Sequence, residues 1–511
     1  MFRRRLPIRR LAAACLALLT LTPLSAATWS IVMVNTKTGE IAIAGATCLE
    51  NFNLLKTLPV VVVGVGGGVS QGQIDIGGNN RKYMFEQLML GAKPSAILYE
   101  LSQTPTAAEA KQWGLVNFQH APATWSGNVL GEAYAGTTGS VGDIKFAIQG
   151  NVIAGPAVVY AATNAILTTP GDMSQKLMAG MEAARQLGGD GRCSCLTGGP
   201  ASCGAPPPSF TKTAHCAFAV VARIGDVDGT CSATFGCATG DYYLTLANQG
   251  DWDDVDPVLT LQADYDLWRA GLAGKPDHLL STVDPGPKLV ADGVTTGAAT
   301  VELFDVDGNA IQHGGISVTV SPAPGTTPTA TAGTPTYLGG GAYSIPLTAG
   351  TTPGTDEFQV VVDDGSGPVT LYPYLEVKNV AVKPLHVGID ELSAAEGSDT
   401  KFVVNLGAGA GSHPFVLLGS ASGTSPGIPL GGGATLPLNE DWFLSTMLNL
   451  AGSPVLPGSI GALDANGRAE AMLVLPGGAL NPLVGLTLAF AAVDYAGPLV
   501  PTNAVEIDVA P

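Results

Sequence analysis

The sequence predicts an α+β domain followed by two β-rich domains. The 511 residues include 67 glycines and 36 prolines, and only 13% are charged. Such a chain is too turn-rich to be mainly helical and too apolar to be disordered. Helical periodicity is confined to the part before about residue 274, where strands precede and follow a helical block. From there to the end, short β-type runs alternate with Gly, Pro and Thr.

The first domain, residues 28–274, opens with a predicted hairpin of strands 29–35 and 40–47. An apolar strand, 59–65, then leads into the glycine run Gly66–Gly68. Further strands are predicted at 145–149, 216–224 and 242–247. Helices are predicted at 81–90, 94–101, 156–168, 173–187 and 257–270.

A Pro-rich joint, Val283–Pro287, ends a linker predicted for residues 275–287. Residues 288–380 show no helical periodicity, which favours a β-sandwich. Residues 381–511 are β-rich as well, with a hairpin turn predicted at Asp464–Gly467, and no chemistry can be assigned to them.

Residues 1–27 have the composition of a signal peptide. They carry five arginines, an apolar run at 11–21, and Ser25-Ala26-Ala27, so the mature chain is predicted to begin at Thr28. That run is too short to cross a bilayer, and we expect no membrane span elsewhere. We therefore predict an exported protein, in the periplasm, at the cell surface or outside the cell.

The chain is acidic, with a formal net charge of −18 that becomes more negative once the five leader arginines are removed. This charge argues against nucleic acid as a partner. We predict no cofactor and no metal, and the sequence leaves the oligomeric state open.

Six cysteines lie within residues 193–237, and in an exported protein they predict up to three disulfides inside this cysteine-rich excursion. Cys48 is then expected to be a buried free thiol. Zinc is the alternative, because Cys193-Ser-Cys195, Cys203 and His215-Cys216 offer soft ligands, although their spacing matches no paired zinc pattern.

Thr28 is the main catalytic candidate. Cleavage after Ala27 would free an α-amine with a pKa of about 7.7–8.0, able to take the proton of the threonine hydroxyl. One residue would then supply both nucleophile and base. The alternative is that any small residue can follow a cleavage site.

Several ordered blocks resemble the uncharacterised family DUF1028. They are residues 28–35, 38–44, 64–71, 112–116 and above all 147–156, AIQGNVIAGP. The resemblance implies an αββα sandwich of the N-terminal nucleophile (Ntn) hydrolase type, in which Thr28 is the nucleophile. Residues 291–309 resemble the invasin/intimin-type bacterial Ig-like repeat (Big-1), which implies a stalk or spacer.

The supporting roles are assigned as hypotheses. Asn151 is the first choice as an oxyanion donor, and the backbone of Gly66–Ser70 is the second. Arg81 and Lys56 could orient a carboxylate or lower the pKa of the Thr28 α-ammonium group. Two of these residues also have a structural interpretation: Asn151 could shape a turn, and Arg81 could be a solvated residue at a helix start.

A second motif, Gly68-Val-Ser70-Gln-Gly72, fits G-x-S-x-G, but the glycine-rich stretch after it is too long for a strand-to-helix elbow. The sequence therefore predicts an exported N-terminal-threonine amidohydrolase acting on an unknown amide, with cell-wall peptide as one candidate. The alternative function is a non-catalytic surface binding protein with Ig-like spacers.

Overall fold

The computed structural model describes residues 28–103, 108–131, 133–196 and 199–511. The predicted signal peptide, residues 1–27, lies outside them. The chain divides into two compact units, one up to Ala270 and one from Gly271 to Pro511. No helix among the described residues has the length and apolar character needed to cross a membrane.

The first unit combines two β-sheets with helices. Its strands are β1 (Thr28–Asn35), β2 (Ile41–Thr47), β3 (Pro59–Val62), β4 (Gly66–Gly72), β5 (Lys111–Asn117), β6 (Ala123–Ser126), β7 (Tyr134–Val141), β8 (Ile144–Asn151), β9 (Cys216–Ala222) and β10 (Leu244–Asn248). Its helices are α1 (Leu54–Thr57), α2 (Asn79–Met89), α3 (Pro94–Ser102), α4 (Ala157–Thr168), α5 (Met173–Gln186), α6 (Gly191–Ser194) and α7 (Pro257–Ala270).

The two sheets have the strand orders β10-β9-β2-β1-β8-β7 and β3-β4-β5-β6. Alternate residues of β1 point to opposite faces. Ile31 and Met33 pack against α4, α5 and α7, whereas Val32 and Val34 face Val61, Val69 and Val116 of the smaller sheet. The far side of the smaller sheet packs on α2 and α3 through Trp113, Leu115 and Met84. The layers therefore run helices, sheet, sheet, helices.

The predicted strand 59–65 ends at Val62, and the glycine run after it belongs to a separate strand, β4, that the sequence did not predict. Gly66 and Gly67 pair with β3 on one side and β5 on the other. A Cβ atom on Gly66 would lie 2.4 Å from the carbonyl oxygen of Val116, and one on Gly67 would lie 2.9 Å from Ile43 Cδ1. The glycines thus allow close contact within and between sheets, and they do not mark a turn.

The disulfide prediction holds in number but not in pairing. The disulfides are Cys48–Cys193, Cys195–Cys203 and Cys231–Cys237, and Cys216 is the buried free thiol. Cys48 reaches Cys193 because its backbone N–H donates to Asp190 Oδ2 at 2.7 Å, just before α6. Cys216 lies within β9, in the core between the sheets.

The second unit is β-rich, as predicted. Its first strands are β11 (Thr282–Asp284), β12 (Leu289–Val290), β13 (Thr296–Glu302), β14 (Ser317–Pro322), β15 (Thr331–Ala332), β16 (Thr336–Gly339), β17 (Ala342–Thr348), β18 (Gly354–Asp363), β19 (Pro368–Thr370) and β20 (Leu375–Val380). They form two five-stranded sheets that share one core, with Val301 and Ile345 from one sheet meeting Val360 and Val377 from the other. This is a sandwich, and β11 lies inside the predicted linker.

The remaining strands are β21 (Leu385–Val387), β22 (Glu391–Ser393), β23 (Gly397–Asn405), β24 (Pro414–Ser420), β25 (Ile428–Gly431), β26 (Ala434–Leu436), β27 (Ile460–Ala462), β28 (Arg468–Pro476), β29 (Thr487–Asp494), β30 (Val500–Pro501) and β31 (Val505–Ala510). They surround a core that contains Phe402, Phe415 and Phe490. A helix not predicted from the sequence, α8 (Trp442–Leu450), is capped by the Asp441 side chain and packs on this core through Met447.

Candidate functional site

Thr28 is the first residue of β1, in the interior of the six-stranded sheet. Its cross-strand partners are Thr47 on β2 and Asn151 on β8. The Thr28 hydroxyl lies 3.4 Å from Thr47 Oγ1, and Thr28 is 2% exposed in the full-length chain. The structure therefore places the predicted nucleophile next to the predicted oxyanion donor, at one end of adjacent strands.

Gln71, on β4 of the facing sheet, connects these residues. Its Nε2 donates to the Thr28 carbonyl oxygen at 2.9 Å and lies 3.3 Å from Asn151 Oδ1. Gln71 was not singled out from the sequence. The available signal was its position beside Ser70, where a strand that is buried throughout carries polar side chains.

More buried amides extend this cluster between the two sheets. Ser30 Oγ donates to Gln71 Oε1 at 2.5 Å and accepts from Gln149 Nε2 at 2.7 Å. Gln112 Oε1 accepts from Gln71 at 2.8 Å, while Gln112 Nε2 donates to the carbonyl oxygens of Ala135 and Gly150. Gln71, Gln112 and Gln149 are each at most 2% exposed; Gln71 bonds directly to Gln112 and is linked to Gln149 through Ser30. We call Ser30, Gln71, Gln112, Gln149 and Asn151 the amide cluster.

The space beside Thr28 is small and mainly apolar. The cavity there has a volume of ≈ 10 Å³, which is room for about one water molecule. Its apolar walls are Leu49, Phe52, Leu54, Leu58 and Ile74, and its polar lining residues are Thr28, Thr57, Ser70 and Gln71, with Gly72 completing it. No acyl group fits beside the hydroxyl of the full-length chain without movement of these walls.

Arg81 contacts Lys56 of α1, the helix whose Leu54 and Thr57 line this cavity. The Arg81 guanidinium is fully buried, donates to the backbone oxygens of Lys56 and Asp75, and pairs with the Asp75 carboxylate at 3.5 Å. Burial lowers the pKa of Arg81, and Asp75 partly opposes that effect. Because Lys56 belongs to α1, whose Leu54 and Thr57 line the cavity, Arg81 holds the cavity wall in position. The interpretation of Arg81 as a solvated residue is wrong.

Lys111 joins this group of buried charges and was not anticipated from the sequence. It is 6% exposed, and its ammonium group donates to the carbonyl oxygen of Gln73. Burial lowers the pKa of Lys111, Asp75 raises it, and Arg81 lowers it further. Gln73 lies between two cavity residues, Gly72 and Ile74, so a cationic group is held close to the cavity.

The G-x-S-x-G serine has no nucleophile elbow. Ser70 lies inside β4, opposite Trp113 on β5, and its hydroxyl accepts from Trp113 Nε1 at 3.2 Å. Since the elbow requires a turn from strand directly into helix, the geometry excludes that mechanism for Ser70.

These observations define a layered α/β domain with a buried threonine-centred polar site, followed by β-rich domains. Residues 28–196 match a protein family described as "Family of unknown function (DUF1028)", and residues 277–372 match the family described as "Invasin, domain 3". Both resemblances inferred from the sequence are confirmed. No curated protein matches the chain.

Three solved structures with low sequence identity illustrate the similarities. Protein SPO2555 from Silicibacter pomeroyi, a DUF1028 protein, is 16% identical, with 47% of this chain and 85% of that chain covered and a TM-score of 0.36. The Escherichia coli adhesin FdeC is 14% identical, with coverages of 78% and 91% and a TM-score of 0.19. The Yersinia pseudotuberculosis adhesin InvE is 19% identical, with coverages of 45% and 58% and a TM-score of 0.15.

Proposed function

We propose that this chain is an exported surface protein whose first unit is an N-terminal-threonine amidohydrolase, activated when residues 1–27 are removed. The observation that carries the proposal is the position of Thr28. It begins an interior strand, with its hydroxyl beside Thr47 and with Asn151 as its cross-strand partner. The order of layers in the first unit is also the order that the Ntn-hydrolase resemblance implies.

The chemistry follows from a free amine at Thr28. The amine takes the proton of Oγ1, directly or through one water, and Oγ1 attacks the carbonyl carbon of an amide. The Nδ2 group of Asn151 is assigned to donate to the developing oxyanion. Collapse of the tetrahedral intermediate expels the amine product, which takes the proton from the α-ammonium group. Water then attacks the threonyl ester, releases the acid and restores Oγ1.

The cavity walls favour one class of substrate. Leu49, Phe52, Leu58 and Ile74 offer an apolar surface next to Thr28, so the acyl part of the amide is expected to be apolar. Because the peptide bond to Ala27 leaves Thr28 without a free α-amine, the precursor is expected to be inactive. The Ig-like sandwich of the second unit would act as a spacer for the enzyme at the cell surface.

The test is covalent labelling of the mature chain with a β-lactone probe that has an apolar side chain. The mature protein and Thr28→Ser should acquire one probe per chain on residue 28, and Thr28→Ala should acquire none. A chain purified with residues 1–27 still attached is the matched control and should not react. Equal labelling of Thr28→Ala would show that the nucleophile lies elsewhere.

A non-catalytic, adhesin-like surface protein is the second candidate. It is favoured by the match of residues 277–372 to an invasin domain and by the closed cavity at Thr28. In that case cell-wall fractions should bind wild type and Thr28→Ala equally, and no probe should label the mature chain.

A further inference from the structure

Three potential metal ligands meet near the end of β2, outside the amide cluster. The Sγ atoms of Cys48 and Cys193 and a ring nitrogen of His215 all lie within 4.8 Å of one another. Cys48 follows β2, Cys193 belongs to α6, and His215 directly precedes β9. The backbone N–H of His215 donates to the Thr47 carbonyl oxygen at 2.8 Å, which fixes it beside Cys48.

The His215 side chain has an unusual environment. It is 2% exposed, and neither ring nitrogen has a hydrogen-bond partner among the described residues. Trp252 covers it edge-on, with ring centroids 4.6 Å apart. The backbone of Asp251 is near enough to raise the pKa slightly, but no hydrogen bond of normal geometry joins it to the ring. A buried imidazole left unpaired in this way costs stability, which indicates a partner that the disulfide-bonded protein does not supply.

The charges around His215 suit a cation ligand. A ring nitrogen lies near the two sulfur atoms of Cys48 and Cys193, and neutral imidazole is a common metal ligand. Asp190 and Glu50 place negative charge near the ring. Asp190 also accepts the Cys48 N–H, so a fully buried carboxylate orients one of the two sulfur-bearing residues.

We propose that reduction of the Cys48–Cys193 disulfide creates a zinc site formed by Cys48, Cys193 and His215. Around a tetrahedral Zn²⁺, with Zn–S of about 2.3 Å and Zn–N of about 2.0–2.1 Å, ligand atoms are about 3.5–3.8 Å apart. The three atoms already lie within 4.8 Å, so the main change is separation of the two sulfurs. Two thiolates and one imidazole are a ligand set that leaves the fourth position for water or another ligand.

The reaction balances with a dithiol as the reductant. The dithiol gives two electrons and two protons to the Cys48–Cys193 bond and becomes a disulfide itself. Zn²⁺ then displaces both thiol protons, which go to solvent. Among the described residues this is the one such group of three ligands, and the other two disulfides do not belong to it. The zinc site and the nucleophile are separate proposals, and neither depends on the other.

The test uses the mature full-length chain and Co²⁺ as a spectroscopic substitute for Zn²⁺. The protein is reduced with excess dithiol, desalted without oxygen and titrated with Co²⁺. We expect thiolate-to-cobalt charge-transfer absorption that saturates at one ion per chain, and no such absorption before reduction. Cys48→Ser should abolish it, and His215→Gln should weaken binding by roughly ten-fold or more.

Cys231→Ser is the matched control, because it breaks a different disulfide and leaves the three ligands in place. The Cys231→Ser variant should bind Co²⁺ with the affinity of wild type. As a second readout, Zn²⁺ should protect Cys48 and Cys193 from alkylation, as mapped by peptide mass spectrometry. Absence of the absorption, unchanged affinity in His215→Gln, or loss of the fold on reduction before metal is added would each overturn the proposal.

Discussion

Replacing Gln71 by methionine tests whether the amide cluster holds the two sheets together. Methionine has nearly the same length but no hydrogen-bonding amide. The change removes the 2.8 Å bond to Gln112 Oε1, the 2.9 Å bond to the Thr28 carbonyl and the 2.5 Å bond from Ser30. Gln71 is 2% exposed, so water cannot readily replace these partners.

The size of the effect follows from the groups left behind. The Gln112 oxygen and the Ser30 hydroxyl both lose the Gln71 amide, and a buried polar group without a partner costs about 1–3 kcal/mol. Ser30 still accepts from Gln149 at 2.7 Å, so its share falls at the low end of that range. We expect the free energy of unfolding of the first unit to fall by about 2–4 kcal/mol.

Urea unfolding followed by tryptophan fluorescence measures this loss, because five of the six tryptophans precede residue 271. The midpoint should fall by roughly 1 M, with the disulfides kept oxidised. Gln186→Met is the control, since Gln186 is exposed at the end of α5 and bonds only to Glu182 among the described residues. If Gln71→Met changes the midpoint no more than this control does, the cluster does not stabilise the fold.

Two further substitutions probe other parts of the structure. Burial by itself raises the pKa of Asp172, but hydrogen bonds from Ser174 and Arg269 outweigh it, so the pKa is lowered in the fold. The stabilisation is therefore present above the unfolded pKa of about 3.9 and lost as pH falls through the folded value. Asp172→Asn keeps a helix-capping side chain but loses the charge in the bonds to Ser174 and Arg269, so it should cost about 1–2 kcal/mol near pH 7. Urea midpoints of variant and wild type should converge in acid, and a difference that stays constant with pH would contradict this cause. Phe402→Ala removes a fully buried ring whose centroid lies 4.8 Å from that of Phe490, and it should cost about 3–5 kcal/mol. Calorimetry should show a lower transition temperature for the second unit alone. A lower transition temperature for both units would show that they unfold together.

Much of the first unit could be predicted from local pattern. The opening hairpin and the helices near 81–89, 94–102 and 257–270 appear within a residue or two of their expected bounds. Their hydrophobic spacing and proline positions are local signals. Strand β4 was not predicted because glycine has a low strand propensity, whereas here the glycines allow close packing with residues distant in sequence.

The site was predicted less completely, for the same reason. Thr28 and Asn151 could be identified because they lie in sequence segments that resemble DUF1028. No local signal indicated that the two residues are cross-strand partners on β1 and β8. Gln71 contacts them from the other sheet, and Cys48 reaches Cys193 across 145 residues of sequence. Contacts of this kind depend on sheet order, which a single sequence does not reveal.

The identity of the first residue of the exported protein decides whether Thr28 can act as both nucleophile and base. If Thr28 is both nucleophile and base, N-terminal sequencing of protein recovered outside the cytoplasm reads Thr-Trp-Ser from Thr28, with a free α-amine. A chain that begins at Ala27 or at Trp29 would contradict this mechanism, because Thr28 could then not be both nucleophile and base.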